Sequence, residues 1–120
     1  MRDHRKLEIF DLADRLVVDV YEHTRGFPTE ELYGLVSQMR RCAVSAAANI
    51  VEGCGRRTEV EFDRFLDISF GSLRELGYFV DLSGRLGFLS GDSKAALEES
   101  QRRASGALAA FISKRVEFRS

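Results

Sequence analysis

The sequence predicts an all-α protein, an antiparallel up-and-down four-helix bundle forming one domain over its 120 residues. Three observations carry that expectation. Apolar residues recur at steps of three and four along four segments, and nowhere do polar and apolar residues alternate as a half-buried strand requires. One proline and no tryptophan leave few interruptions, which favours long helices. The interruptions present are short and rich in glycine, so consecutive helices fold back on one another. The expected helices span about 10–25, 30–52, 59–86 and 92–116.

In the first helix Leu12, Leu16, Val17, Val20 and Tyr21 form the inner stripe, while Asp14, Arg15, Asp19 and Glu22 face outward. It ends at Gly26-Phe27-Pro28, where glycine supplies a helix end and proline prevents continuation. Thr29 reads as the N-cap of the second helix, with Glu30 and Glu31 in the first turn, where the helix dipole favours carboxylates. That helix runs to Glu52 and breaks at Gly53-Cys54-Gly55. Thr58-Glu59-Val60-Glu61 has the spacing of a capping box and starts the third helix, whose core stripe is Phe62, Phe65, Leu66, Ser69, Leu73, Leu76 and Val80. Ser90 or Asp92 caps the fourth, which sets Leu97, Ala104, Leu108, Phe111 and Ile112 against Glu98, Glu99, Arg102, Arg103 and Lys114.

The two middle helices carry more apolar surface than one bundle can cover. In the second, Leu35, Met39, Ala43, Ala46, Ile50 and Gly53 form one stripe, and Gln38, Cys42, Ser45, Asn49 and Glu52 form a small, polar one beside it. Beyond Arg40 and Arg41, the remaining face holds Val44, Ala47, Ala48 and Val51. The third helix adds a seam of Ile68, Ser72, Glu75, Phe79, Leu82 and Leu86. A helix apolar on several sides is covered on several sides. The expectation is self-association through Val44, Ala47, Val51, Ile68, Phe79 and Leu82. Gln38, Ser45, Asn49, Glu52, Ser72 and Glu75 are then expected to be buried and bonded across helices, with the carboxylates paired to Arg40 or Arg41.

Net charge is −1, so no overall basic signature points to nucleic acid. Locally, Arg40, Arg41, Arg56 and Arg57 stand against Glu52 alone, which makes these four arginines candidate nucleic-acid contacts. The competing reading treats them as solvated helix faces and inter-subunit pairs. The chemistry of an enzyme is not assembled. There is no Glu-x-x-His for a carboxylate-bridged metal pair, and no glycine-rich loop opens a helix with a lysine. Cys42 and Cys54 do not form a C-x-x-C, and only Cys54 with His23 offers a nucleophile pair. The expectation is a protein that is not an enzyme, with no metal, cofactor or small-molecule substrate. The N-terminal stretch lacks a signal peptide's apolar run and no segment suits a membrane span, so a cytoplasmic location is expected.

The ordered set Gln38-x-Arg40-Arg41, Ser45-x-x-x-Asn49-Ile50-x-Glu52-Gly53, Phe62-x-x-Phe65-Leu66 and Gly71-Ser72-x-x-Glu75-Leu76 resembles the four-helix-bundle proteins of the 23S rRNA-intervening-sequence family. Phe27-Pro28 and Glu31-x-Tyr33-Gly34-Leu35 extend the likeness toward the N-terminus. Accessory variability proteins of diversity-generating retroelements form a related branch. The resemblance implies a cytoplasmic, ring-like homopentamer, and Gln38, Arg41, Ser45, Asn49, Glu52, Gly53, Ser72 and Glu75 as its motif positions. It also implies bacterial proteins without an assigned activity, some encoded within ribosomal RNA genes, and a branch that binds nucleic acid and a reverse transcriptase. Two readings follow: an oligomer associated with RNA or a nucleic-acid enzyme, and a structural adaptor that recruits a protein partner without nucleic acid.

Overall fold

Local signals start and stop the helices. The computed structural model of the chain describes residues 1–119. Its helices are α1 (Glu8–Thr24), α2 (Ser37–Cys54), α3 (Glu59–Arg85) and α4 (Gly91–Arg119), and no strand occurs among the described residues. Thr58 Oγ1 accepts the Glu61 N–H at 3.2 Å and opens α3, while the Glu61 carboxylate turns outward to Arg64. Ser90 Oγ accepts the Ser93 N–H at 3.1 Å and opens α4. Both caps satisfy amide donors that the first helical turn leaves without partners.

The entry to the second helix differs from the expectation. Thr29 is not its N-cap: Thr29–Glu31 form a 3-10 turn with no side-chain cap, and Leu32–Val36 form a π-type turn before α2 begins at Ser37. Gly34, at φ −108° and ψ −109°, leaves helical geometry. Glycine holds helical backbone weakly, and the Glu31 carboxylate takes the Leu35 N–H at 3.2 Å, redirecting the turn. Tyr33 is thereby thrown outward and is 92% exposed.

Each helix packs on its two neighbours in the cycle α1, α2, α3, α4, with the α2–α3 contact the most extensive. The result is an antiparallel up-and-down bundle, 45 × 22 × 20 Å. Leu16, Met39, Ile50, Phe62, Leu66, Leu73, Leu76 and Leu97 are fully buried at its centre. Small residues allow α2 and α3 to approach closely. The buried Ser69 hydroxyl donates to the Ala46 carbonyl at 2.7 Å, and Gly53 sits so close to α3 that an added Cβ would lie 2.9 Å from that of Phe65. Polar ties join the other pairs: Gln101 Nε2 donates to the Leu73 carbonyl, and Ser100 Oγ to Asp19.

The N-terminal residues are part of this packing. The Arg2 N–H donates to the Cys54 carbonyl at 2.8 Å, and its guanidinium grips both oxygens of Glu59 at 2.9 and 2.6 Å. Arg2 and Arg115 lie over the Phe62 ring, 3.9 and 4.7 Å from its centroid, and Arg115 Nε donates to Asp63 at 2.5 Å. The hydrogen bonds from Arg2 hold the Glu59 carboxyl down to about 2. His4 lies in a short 3-10 turn, its ring edge-on to Phe10 at 4.7 Å.

Two glycines test this packing with opposite signs. Gly53→Ala should destabilise the fold by about 1–3 kcal/mol, because the methyl meets Phe65 in a filled contact. Gly71→Ala, with open space around its Cβ position, should stabilise it by about 0.5–1 kcal/mol through helix propensity. Chemical denaturation of the two variants checks both signs.

Candidate interaction surface on helices two and three

The polar motif positions converge at the α2–α3 junction. Gln38, Arg41, Cys42 and Ser45 from α2 and Ser72 and Glu75 from α3 line one depression of about 180 Å³. Ser45 and Ser72 hydroxyls meet across it at 2.9 Å, and Asn49 Nδ2 donates to the Ser45 carbonyl and hydroxyl at 2.8 and 3.0 Å. Helical spacing of three and four put these side chains on facing edges.

Burial of the whole set does not hold in the single chain. Gln38, Arg41, Glu52 and Glu75 are exposed, Ser45, Asn49 and Ser72 are half-buried, and only Gly53 is buried. The reason is geometric: these residues occupy the outer rim of a two-helix junction, which the chain itself leaves open. Glu52 pairs with Arg56 one turn on, at 3.4 Å, and not with Arg40 or Arg41. Such an exposed pair contributes about 0–1 kcal/mol, so Glu52 does not anchor the fold.

The apolar set also divides. Val44, Val51 and Ile68 are 42%, 37% and 40% exposed, whereas Ala47 is buried and Phe79 and Leu82 pack partly against the core. The exposed three are β-branched and short of reach, whereas Phe79 and Leu82 extend far enough from the helix to meet the core and Ala47 is too small to emerge. The exposed apolar face is therefore narrower than the seams suggested.

The four arginines are likewise not equivalent. Arg40 Nε donates to Thr24 Oγ1 at 3.0 Å, and its guanidinium lies 4.5 Å from the Tyr21 ring centroid. Arg56 is occupied by Glu52 and by the Phe65 ring. Arg41 and Arg57 are exposed, and neither forms an ion pair with a carboxylate among the described residues. Arg2 and Arg115 were not singled out by the sequence pattern, and Tyr21 and Tyr33 were read there as a stripe residue and a motif residue, not as parts of a surface.

Both thiols are free and buried. Burial, then the charge and hydrogen bond of the adjacent Glu75, pushes Cys42 up to about 12, and burial also raises Cys54. A protonated thiol is a poor nucleophile. No group of three or more His, Cys, Asp or Glu is placed to hold a metal among the described residues, and no helix there is long and apolar enough to cross a membrane.

Fold and surface together define an antiparallel four-helix bundle whose α2–α3 junction carries an open polar depression flanked by exposed branched apolar residues. The chain belongs to the 23S rRNA-intervening sequence protein family, whose model matches residues 5–110. A solved structure of a protein of unknown function from the S23 ribosomal protein family of Bacteroides thetaiotaomicron VPI-5482 has the same fold. It matches with a TM-score of 0.80 at 18% identity, covering 87% of this chain and 97% of that one. No curated protein matches the chain.

The raised thiol predicts an alkaline weakness. The folded chain keeps the Cys42 proton to about 12, whereas the free thiol releases it near 9.0. Unfolding therefore releases a proton between those values, so this contribution to stability is complete below pH 9.0 and is lost as pH rises toward 12. Melting temperature should fall across that window, and less steeply in Cys42→Ala.

Proposed function

We propose that the protein is a non-enzymatic scaffold that self-associates through the α2–α3 face and presents arginines to RNA. One observation carries the reading. Val44, Val51 and Ile68 stand exposed beside a rim of open polar groups, Gln38 and Glu75, at the junction of the two helices with the most extensive contact. A second copy laid on this face removes the apolar residues from water and supplies the rim with partners. The ring-like homopentamer implied by the resemblance is an arrangement that would do so in every subunit.

The RNA part rests on Arg41 and Arg57, exposed and without carboxylate partners among the described residues, and on the rRNA context in the family's description. Repetition around an oligomer turns weak single contacts into avid ones. Phosphate contacts give salt-sensitive binding with little sequence preference. Two free, buried thiols suit the reducing cytoplasm as the place of action.

Light scattering at micromolar concentration should show several times the chain mass of 13.5 kDa, and Val44→Glu with Ile68→Glu should return the protein to that mass with its helical content intact. A monomer in the unaltered protein would sink the scaffold reading. Filter binding of structured RNA should weaken steeply with salt, and Arg41→Ala with Arg57→Ala should reduce the slope of log affinity against log salt by about one per phosphate contact removed. An intact oligomer that retains no RNA at low salt is instead an adaptor for a protein partner.

A further inference from the structure

A second surface adjoins the first along α2, the two sharing Arg41 and Ser45. The end of α1, the π-type turn and α2 enclose a cleft of about 580 Å³ whose lining includes Tyr21, Leu32, Tyr33, Val36, Arg40 and Arg41. We propose that this cleft binds nucleoside phosphates, free or as units of single-stranded RNA, with a base stacked on Tyr33 and the phosphate at Arg40 and Arg41. The proposal narrows the RNA reading above and rests on it only where the ligand is a strand.

Three features converge on that ligand. Tyr33 is 92% exposed because the chain leaves helical geometry at Gly34, so the aromatic face is presented by the backbone and not left over from packing. Next, the cleft is cationic. Arg15, Arg64 and Arg85 are each neutralised by a carboxylate on their own helix, but Arg40 and Arg41 pair with none among the described residues. The Arg40 guanidinium is held in place by Thr24 Oγ1 at 3.0 Å and by the Tyr21 ring at 4.5 Å. A positioned guanidinium beside an exposed one suits a phosphate, which accepts several donors at once. Glu31, in the neighbouring turn, directs its carboxylate to the Leu35 N–H.

The third feature is the lining, which is apolar between the tyrosines and the arginines, with Leu32 43% exposed. A bare inorganic anion would use the arginines and leave that surface wet. A nucleotide uses both, since its base has an apolar face and its phosphate a charge. Bases within a duplex are stacked on both faces and unavailable to Tyr33, so the strand must be single.

Tyrosine emission reads the cleft directly, because the chain has no tryptophan and three tyrosines, of which Tyr21 and Tyr33 line it. Adenosine monophosphate and a short oligoadenylate should each quench the emission, the oligomer more tightly, while duplex RNA should bind weakly or not at all. Tyr33→Ala should weaken oligoadenylate binding roughly tenfold or more and Tyr33→Phe should not, since the ring and not the hydroxyl does the stacking. Arg41→Ala should weaken both ligands. Quenching by the mononucleotide without tighter binding of the oligomer identifies a free nucleotide as the ligand. The proposal is overturned if neither ligand quenches, if duplex binds as well as single strand, or if Tyr33→Ala leaves affinity unchanged. In that last case salt-sensitive RNA retention can persist, and the scaffold reading survives alone. A fall in light-scattering mass on Tyr33→Ala also overturns it, because the cleft then holds a second copy.

Discussion

Everything else in this bundle is arranged around how closely α2 can approach α3. The hydrogen bond from the buried Ser69 hydroxyl to the Ala46 carbonyl is possible only because Ala43, Ala46 and Ala47 carry almost no side chain there. At one end Gly53 removes the last obstacle against Phe65, and at the other the Ser83 hydroxyl reaches Met39 Sδ at 3.4 Å. Small residues on one side of α2 have a consequence on its other sides. With little bulk spent on the α3 contact, α2 keeps Val44, Val51 and Arg41 for surfaces that the single chain does not close.

The opposite stresses of the design are met at the chain termini. The α2–α3 turn is short and its backbone would be open to water, yet Arg2 covers it by donating to the Cys54 carbonyl and clamping Glu59. Arg115 closes the same corner from α4 through Asp63, so both ends of the chain meet on the Phe62 ring. Guanidiniums suit this role because they stack on an aromatic face while donating in their own plane. The corner is therefore tied down by charge-assisted bonds.

Two kinds of surface meet along α2, at Arg41 and Ser45. Toward α3, polar groups of short reach are half-satisfied by one another, as in the Ser45–Ser72 contact, and the remaining demand lies on the exposed rim. Toward α1, aromatic and guanidinium groups surround an apolar cleft. The difference follows from the entry to α2: the turn at Leu32–Val36 lifts Tyr33 away from the core, while the regular helix beyond it delivers Gln38, Cys42 and Ser45 in register with α3.

Helical periodicity, read from residues alone, determined the fold class and the core, while an ordered set of motif residues carried the resemblance to the family. Leu16, Met39, Ile50, Leu73 and Leu97 are buried where their spacing put them, because a stripe that repeats every three or four residues can face only one way. The motif positions at the α2–α3 junction were legible for the same reason. What spacing cannot express is distance to another element. Glu52 looked like a buried acid but pairs with Arg56 one turn on, Arg40 looked like a carboxylate partner or a phosphate contact but is held by Thr24 and Tyr21, and of the expected interface residues Ala47 is buried and Phe79 and Leu82 are partly buried. The grip of Arg2 and Arg115 on Phe62 joins residues far apart in the chain, and the kink at Gly34 depends on where Glu31 finds a donor. Those outcomes belong to the tertiary structure, because each side chain's partner is chosen by the helix that packs beside it and not by its neighbours in sequence.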